Sequence, residues 1–328
     1  MKKNIALLAG GDSGEYQVSL RSAAMVNQSL DKSLYNVYVI EMFDSQWYYK
    51  TTEGEAIAVD KNDFSVTINQ EKVLFDVVFT MIHGTPGEDG KLQGYFDILN
   101  IPYTNSDVFS SSLSFNKYYS NQIMRMLGII TPFSRLLFRG QYFDTEQLVR
   151  EVGLPCFVKP NQGGSSLGTT RVNEKEQLQA AILKAFEVDH QVLVEEYIQG
   201  TEVTCGLIRK VNDTIIFPLT EIVSKNEFFD YEAKYTKGMA DEITPARIPE
   251  DTALEIKRLS NYIYNKLMCK GIVRVDFIIK DNQYYFLELN TVPGMSEASI
   301  VPQQIRAAGL KEKDIFQLAI ENAWKEKH

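Results

Sequence analysis

Residues 271–302 read GIVRVDFIIKDNQYYFLELNTVPGMSEASIVP, and this stretch decides the architecture. Apolar residues alternate with others on both sides of the turn dipeptide Asp281–Asn282, the pattern of two antiparallel strands. Side chains two apart share a face. Val273, Val275 and Phe277 therefore point one way, with Leu287 and Leu289 on the return strand, and form ordinary core. Arg274, Asp276, Glu288 and Asn290 point the other way. An odd-numbered loop, with Lys280 paired to Tyr284, sets Asp276 opposite Glu288 and Arg274 opposite Asn290, and directly opposed Cβ atoms lie about 5 Å apart. A two-residue turn instead sets Leu287 opposite Asp276 and scatters the polar set, so the sequence predicts the odd loop. Two carboxylates that close repel unless a cation lies between them. Asp276, Glu288 and Asn290 all offer oxygen, which suits magnesium, an ion commonly held by a few carboxylates plus substrate phosphates. The other reading is a solvated hairpin face carrying an Arg–Asp pair.

At 328 residues the chain is long for one core, and two or three domains are expected. It is 44% hydrophobic and 23% charged, ordinary for a soluble globular protein. A net charge of −9 argues against a nucleic-acid or membrane-surface partner and makes any phosphate-binding cations local exceptions. Cys156, Cys205 and Cys269 are few, odd in number and widely spaced, which suits a reducing cytoplasm and gives neither a disulfide framework nor a metal motif. The opening MKKNIALLAGG has the lysines of a signal peptide but too short an apolar run, and no stretch approaches the ~18–20 apolar residues of a membrane span.

Before the hairpin, Ile5–Ala9, the glycine loop Gly10–Gly14 and a helical pattern through Leu30 read as strand, loop and helix of an α/β unit. Helix-start N–H groups beside Glu15 can receive a small polar ligand; a plain tight turn is the alternative. A strand follows around Tyr35–Met42, and Phe75–Ile82 is a buried strand running into HGTPGEDG, where His83 is either a ligand contact or structural. Asn116–Leu127 is helical, with Lys117 in a first turn that does not favour a cation. The strand Phe157–Lys159 leads into NQGGSSLG, residues 161–168, whose backbone N–H groups can wrap phosphate oxygens above Lys159. A strand to Val172 and a helix capped by Asn173 with Glu176 come next. Val192–Ile198 and Glu202–Ile208 read as strands, followed by one strand over 214–223. A long polar and aromatic segment after it, about 224–245, has the make-up of a lid. A helix from Asp251 to Met268 delivers the chain to the hairpin, and helices from Pro302 and Lys313 end it.

Seven stretches in order (GGxSxE from Gly10, HGTPGEDGKLQG, KPNQGGSSLG, VEEYIQGTE, DYEAKY, VRVDF and LELNTVPGMSEASIVP) resemble the ATP-grasp superfamily, and within it the D-alanine–D-alanine ligases. The resemblance runs the whole chain. It implies an N-terminal α/β, Rossmann-like domain over 1–104, then two α+β ATP-grasp subdomains over 105–190 and 191–328. The activity implied is ATP- and magnesium-dependent joining of two D-alanines through an acyl phosphate, for cell-wall peptidoglycan synthesis, by a cytoplasmic homodimer. D-lactate or D-serine as second substrate, or another carboxylate–amine pair, are the alternatives.

By resemblance, Asp276, Glu288 and Asn290 hold two magnesium ions, replaceable by manganese. Lys117, Lys159, Ser165, Ser166 and, from the lid, Lys234 meet the phosphates. Glu195, Glu196, Tyr197 and Ile198 frame the adenine and Glu202 binds the ribose. Glu15 receives the ammonium of the first D-alanine beside His83. Arg274 and the Gly294 N–H stabilise the oxyanion, while Ser299 and Ile300 hold the second carboxylate. Glu15, Ser165 and Tyr235 form a hydrogen-bonded triad. Tyr16, Gln17, Gly163 and Glu196 depart from residues common in relatives, and the loss of a lysine at Glu196 removes a cation near the adenine.

Overall fold

The computed structural model describes residues 2–51, 53–211, 213–224 and 240–327. The first sheet is built from β1 (Lys3–Gly10), β2 (Tyr35–Phe43), β3 (Gln46–Lys50), β4 (Ala56–Ala58) and β7 (Val77–Thr80), while β5 (Val66–Ile68) and β6 (Glu71–Val73) form a separate hairpin. Its order is β4-β3-β2-β1-β7, with β1 parallel to both β2 and β7. A central parallel strand is covered on both faces, which is why Ile5–Ala9 reads as an unbroken apolar run and is fully buried. Gly10 ends it at φ +93, where a Cβ would lie 2.4 Å from the Met42 carbonyl oxygen. Only glycine lets the chain turn there into the helix Tyr16–Ser29.

The second sheet is antiparallel, in the order β10-β9-β11-β8: β8 (Ser134–Phe138), β9 (Cys156–Pro160), β10 (Thr170–Val172) and β11 (Gln191–Glu196). Helices Thr145–Val152 and Lys175–Val188 close its core over Val158, Val172, Leu178, Ile182 and Val194. The second helix begins one residue later than its sequence predicts. Glu174, not Asn173, is the cap, and Gln177 completes the box. The longer Gln177 amide reaches the N–H of both Asn173 and Glu174, at 3.0 and 3.2 Å, which fixes the later start.

The third sheet comprises β12 (Thr201–Lys210), β13 (Asp213–Ile216), β14 (Thr220–Ser224), β15 (Ala240–Ile243), β16 (Ile272–Lys280) and β17 (Gln283–Asn290), in the order β15-β14-β12-β16-β17 with β13 also on β12. The single strand expected over 214–223 is two. Pro218 has no N–H for a ladder, so β13 pairs with the end of β12 and β14 with its beginning.

The hairpin β16–β17 places its polar residues as expected, by a different device. Lys280 pairs with Gln283, so the turn is the tight two-residue one, with Asp281 and Asn282 at φ 50 and 58. Left-handed conformation at both central positions suits the strand twist, and Asp and Asn tolerate it. A bulge between Phe277 and Asp276 then inserts Leu287, so that Phe277 faces Phe286 while Asp276 faces Glu288 and Arg274 faces Asn290. Phe286 takes the core place expected for Leu287, which lines the cleft instead.

One apolar core joins the ends of the chain. Leu7 and Phe79 of the first sheet pack with Val292, Met295, Val301, Phe316 and Ile320, and the Phe79 and Phe316 rings meet edge to face at 5.8 Å. The helices Ile300–Ala307 and Glu312–Lys327 thus anchor the segment after β17 beside the first sheet. Among the described residues no helix is long and apolar enough to cross a membrane.

Candidate active site

A cleft of about 800 Å³ is lined by residues of the second and third sheets, of the helix Tyr16–Ser29 and of the loops that follow β7, β9 and β17. Its floor is the polar face of β16–β17. Arg274 donates through Nε to Asp276 Oδ1 at 2.9 Å and through Nη2 to Oδ2 at 2.7 Å, and Asn290 Nδ2 donates to the same Oδ2 at 3.3 Å. Glu288 Oε1 lies 3.9 Å from Arg274 Nη2. Burial works against the guanidinium's charge, but Asp276, then Glu288 and Glu202, more than reverse this and hold Arg274 above its ordinary range. The site therefore keeps a permanent cation among its acids.

Among the described residues no three His, Cys, Asp or Glu side chains gather as a metal cage. The donor set is two carboxylates and an amide, with the buried hydroxyls of Thr204 and Thr291 left without a partner beside them. All are hard oxygen donors, too few to enclose an ion, which fits magnesium completed by phosphate and water oxygens.

Above the floor, the N-terminus of helix Lys117–Met126 is fastened to the loop after β9. Lys117 N donates to the Asn161 carbonyl at 3.1 Å and Tyr118 N to Asn161 Oδ1 at 2.8 Å. This brings Lys117 Nζ to the Gly163 carbonyl at 2.6 Å and within 4.0 Å of Glu288. Lys159 Nζ bonds Glu195 Oε1 at 2.6 Å, and Asn121 Nδ2 donates to the other Glu195 oxygen at 3.3 Å. Glu195 is thus buried in an ion pair at the position expected for adenine recognition. Glu196, Tyr197, Ile198 and Glu202 line the same end, where Leu287 joins them.

At the other end, Ser165 donates to Glu15 Oε1 across 150 residues of chain. Ser165 and Ser166 both have positive φ, 52 and 57, which turns the loop back over the cleft. A Cβ on Gly164 would lie 2.4 Å from Glu15 Oε2, so glycine is what lets the two meet. Tyr235 and Lys234, expected to join Ser165 and the phosphates, lie outside the described residues, as does most of the lid. Ser299 opens the helix Ile300–Ala307 and its hydroxyl lies 2.7 Å from that of Ser296. Ser299, Ile300 and Gly294 all face the cleft, and the first N–H groups of a helix favour an anion there.

His83 lines the cleft, but both ring nitrogens are engaged inside the protein. Nδ1 lies 2.8 Å from the Val292 carbonyl and Nε2 3.2 Å from Ser22 Oγ. Burial pushes its pKa below the ordinary value, against the pull of Glu15. A contact from either nitrogen to a ligand would cost that nitrogen a buried partner.

Glu88 was not singled out from the sequence, although it sits in the HGTPGEDG run. It accepts N–H groups from Gly84 at 2.7 Å and Val292 at 3.0 Å. Burial and then the charge of Glu15 push it up to about 8.

Comparison with known proteins accords with this geometry. The family model described as D-ala D-ala ligase N-terminus matches residues 4–106, and that described as D-ala D-ala ligase C-terminus matches residues 123–321. The D-alanine–D-alanine ligase of Bacteroides fragilis is 48% identical over 98% of this chain and 99% of its own. That of Flavobacterium johnsoniae is 45% identical over 97% of this chain and 98% of its own. Among solved structures, VanG D-Ala:D-Ser ligase from Enterococcus faecalis has a TM-score of 0.87 at 32% identity, covering 98% of this chain and 100% of that one. D-alanine–D-alanine ligase from Bacillus anthracis complexed with ATP has a TM-score of 0.79 at 29% identity, covering 99% and 98%. The fold is thus an N-terminal α/β domain followed by an ATP-grasp unit, and the chain belongs to the D-alanine–D-alanine ligase family.

Proposed function

We propose that this enzyme uses ATP to join two D-alanines into D-alanyl-D-alanine for peptidoglycan precursors, in the cytoplasm and as a homodimer. The observation that carries the reading is the direct opposition of Asp276 to Glu288 and of Arg274 to Asn290 on the floor of one cleft. Lys117 and Lys159 hold the phosphates under the loop of Ser165 and Ser166, and Lys234 approaches from the lid. Glu195, Glu196, Tyr197 and Ile198 receive the adenine against Leu287, and Glu202 receives the ribose. Asp276, Glu288 and Asn290 would hold magnesium, with manganese able to replace it, and the bound ion would supply positive charge against the phosphates.

Glu15 orients the first D-alanine by its ammonium, with Ser165 and Tyr235 fixing the carboxylate of Glu15. Phosphorylation of the substrate carboxylate gives its carbon a good leaving group, and the amine of the second D-alanine then attacks. Arg274 and the Gly294 N–H stabilise the oxyanion that forms, contacts worth about 3–4 kcal/mol per donor in enzymes generally. Ser299 and the Ile300 N–H hold the second carboxylate. Closing the lid keeps water from the acyl phosphate.

D-serine as second substrate is the other reading, favoured by the likeness to VanG, and the more similar relatives favour D-alanine. Incubation with ATP, magnesium and D-alanine, alone and with D-serine or D-lactate, separates them. The proposal expects D-alanyl-D-alanine and one phosphate per dipeptide. A mixed product in preference to the dipeptide of alanine, or hydrolysis of ATP without any product, would refute it.

A further inference from the structure

The turn Val292–Met295 carries Gly294, and three side chains from the first 88 residues hold it. Met295 N donates to Ser22 Oγ at 3.1 Å, the Val292 carbonyl meets His83 Nδ1 at 2.8 Å, and Val292 N donates to Glu88 Oε1 at 3.0 Å. Each contact spans more than 200 residues of chain, and Ser22, His83, Val292 and Met295 are all buried. A carbonyl can only accept, so Nδ1 carries the proton in the neutral ring and Nε2 accepts from the Ser22 hydroxyl. Ser22 in turn accepts from Met295. Every donor and acceptor of the chain is thereby assigned, and the turn is gripped at both ends and on both polar groups of Val292.

We propose that Ser22, His83 and Glu88 are positioning residues that fix the Gly294 N–H for the tetrahedral intermediate. The inference rests on Gly294 being an oxyanion donor, as proposed above. A donor of this kind works only when it already points at the place where the charge will develop. The turn has little room of its own to set that direction, because a Cβ on Gly294 would stand 2.9 Å from Ser299 Oγ and the helix start behind it is packed. Anchoring the turn through Ser22 also ties the oxyanion donor to the helix that follows Glu15, so that both substrates and the donor share one frame. His83 acts through Val292 and touches neither substrate.

The test uses the full-length enzyme with ATP, magnesium and D-alanine, comparing wild type with Glu88→Gln, Ser22→Ala, His83→Asn and His83→Ala. Misplaced catalytic donors lower turnover by about ten- to a hundredfold. We expect such a loss in kcat for Glu88→Gln and Ser22→Ala, with the KM for ATP within about twofold of wild type. A phosphinate dipeptide mimicking the tetrahedral intermediate should lose affinity in parallel with kcat, while ADP binding stays constant. His83→Asn keeps a donor in the place of Nδ1 and should recover most of what His83→Ala loses. Ser22→Ala deletes one hydroxyl and supplies the comparison if Glu88→Gln folds poorly. Unchanged kcat, or equal losses in kcat, ATP binding and phosphinate binding, would overturn the positioning role while wild type still makes dipeptide. A wild-type enzyme that makes none overturns the ligase reading itself.

Discussion

His83 shows how far a buried residue's partners can lie from its place in the chain. A histidine after a strand's carboxyl end is where open α/β sheets meet ligands, and that much is legible. The partners that engage its nitrogens, Ser22 and Val292, are 61 and 209 residues away and left no local signal. Glu88 escaped notice for the same reason, because its value comes from a Val292 N–H 204 residues on. The engagement of His83 has a measurable consequence. Its folded-state pKa lies below the ordinary 6.5, so the native state favours the neutral ring. That stability is present above about pH 6.5 and is lost as the pH falls toward the lowered folded value, because the unfolded chain then binds a proton that the native state refuses. Urea unfolding of wild type and His83→Asn should show a smaller stability gap at pH 5.5 than at pH 7.5. A gap independent of pH would mean that the native ring titrates normally.

The hairpin β16–β17 is the element whose logic was most nearly legible. Alternation revealed two strands and their polar face, and the repulsion of two opposed carboxylates is what led to the proposal of a cation between them. Loop length and bulge position were not legible, because an odd loop and a tight turn plus one bulged residue give the same pairing at Asp276 and Glu288. The structure separates two leucines that the sequence grouped together. Leu289 is 3% exposed and packs in the core with Phe277 and Phe286, whereas Leu287 faces the cleft. Leu289→Ala should therefore destabilise by about 2–5 kcal/mol in urea unfolding, the cost of a cavity in a packed core. Leu287→Ala should lower stability by about 1 kcal/mol or less but raise the KM for ATP several-fold, through lost apolar contact. Equal destabilisation by both would contradict the bulge.

At the scale of the whole molecule, the cleft exists because distant segments hold one another. Motif order made the participating stretches legible, since each carries its own glycines and charges. Their mutual fastening was not, because contacts such as Glu15 with Ser165 depend on how the sheets pack. Gly164→Ala probes that fastening, because its Cβ would displace the Glu15 carboxylate. It should raise the KM for D-alanine about tenfold, equivalent to about 1.4 kcal/mol of binding, while ADP affinity stays near wild type. Unchanged D-alanine affinity would separate Glu15 from substrate binding. All of this hangs on the acidic floor being a seat for divalent ions beneath a nucleotide. The most direct measurement is anomalous diffraction from crystals grown with ADP and manganese. Manganese peaks coordinated by Asp276, Glu288 and Asn290 and by the nucleotide phosphates are expected. Bound nucleotide with no peak at those side chains, or with the three of them turned to different sides, would contradict it.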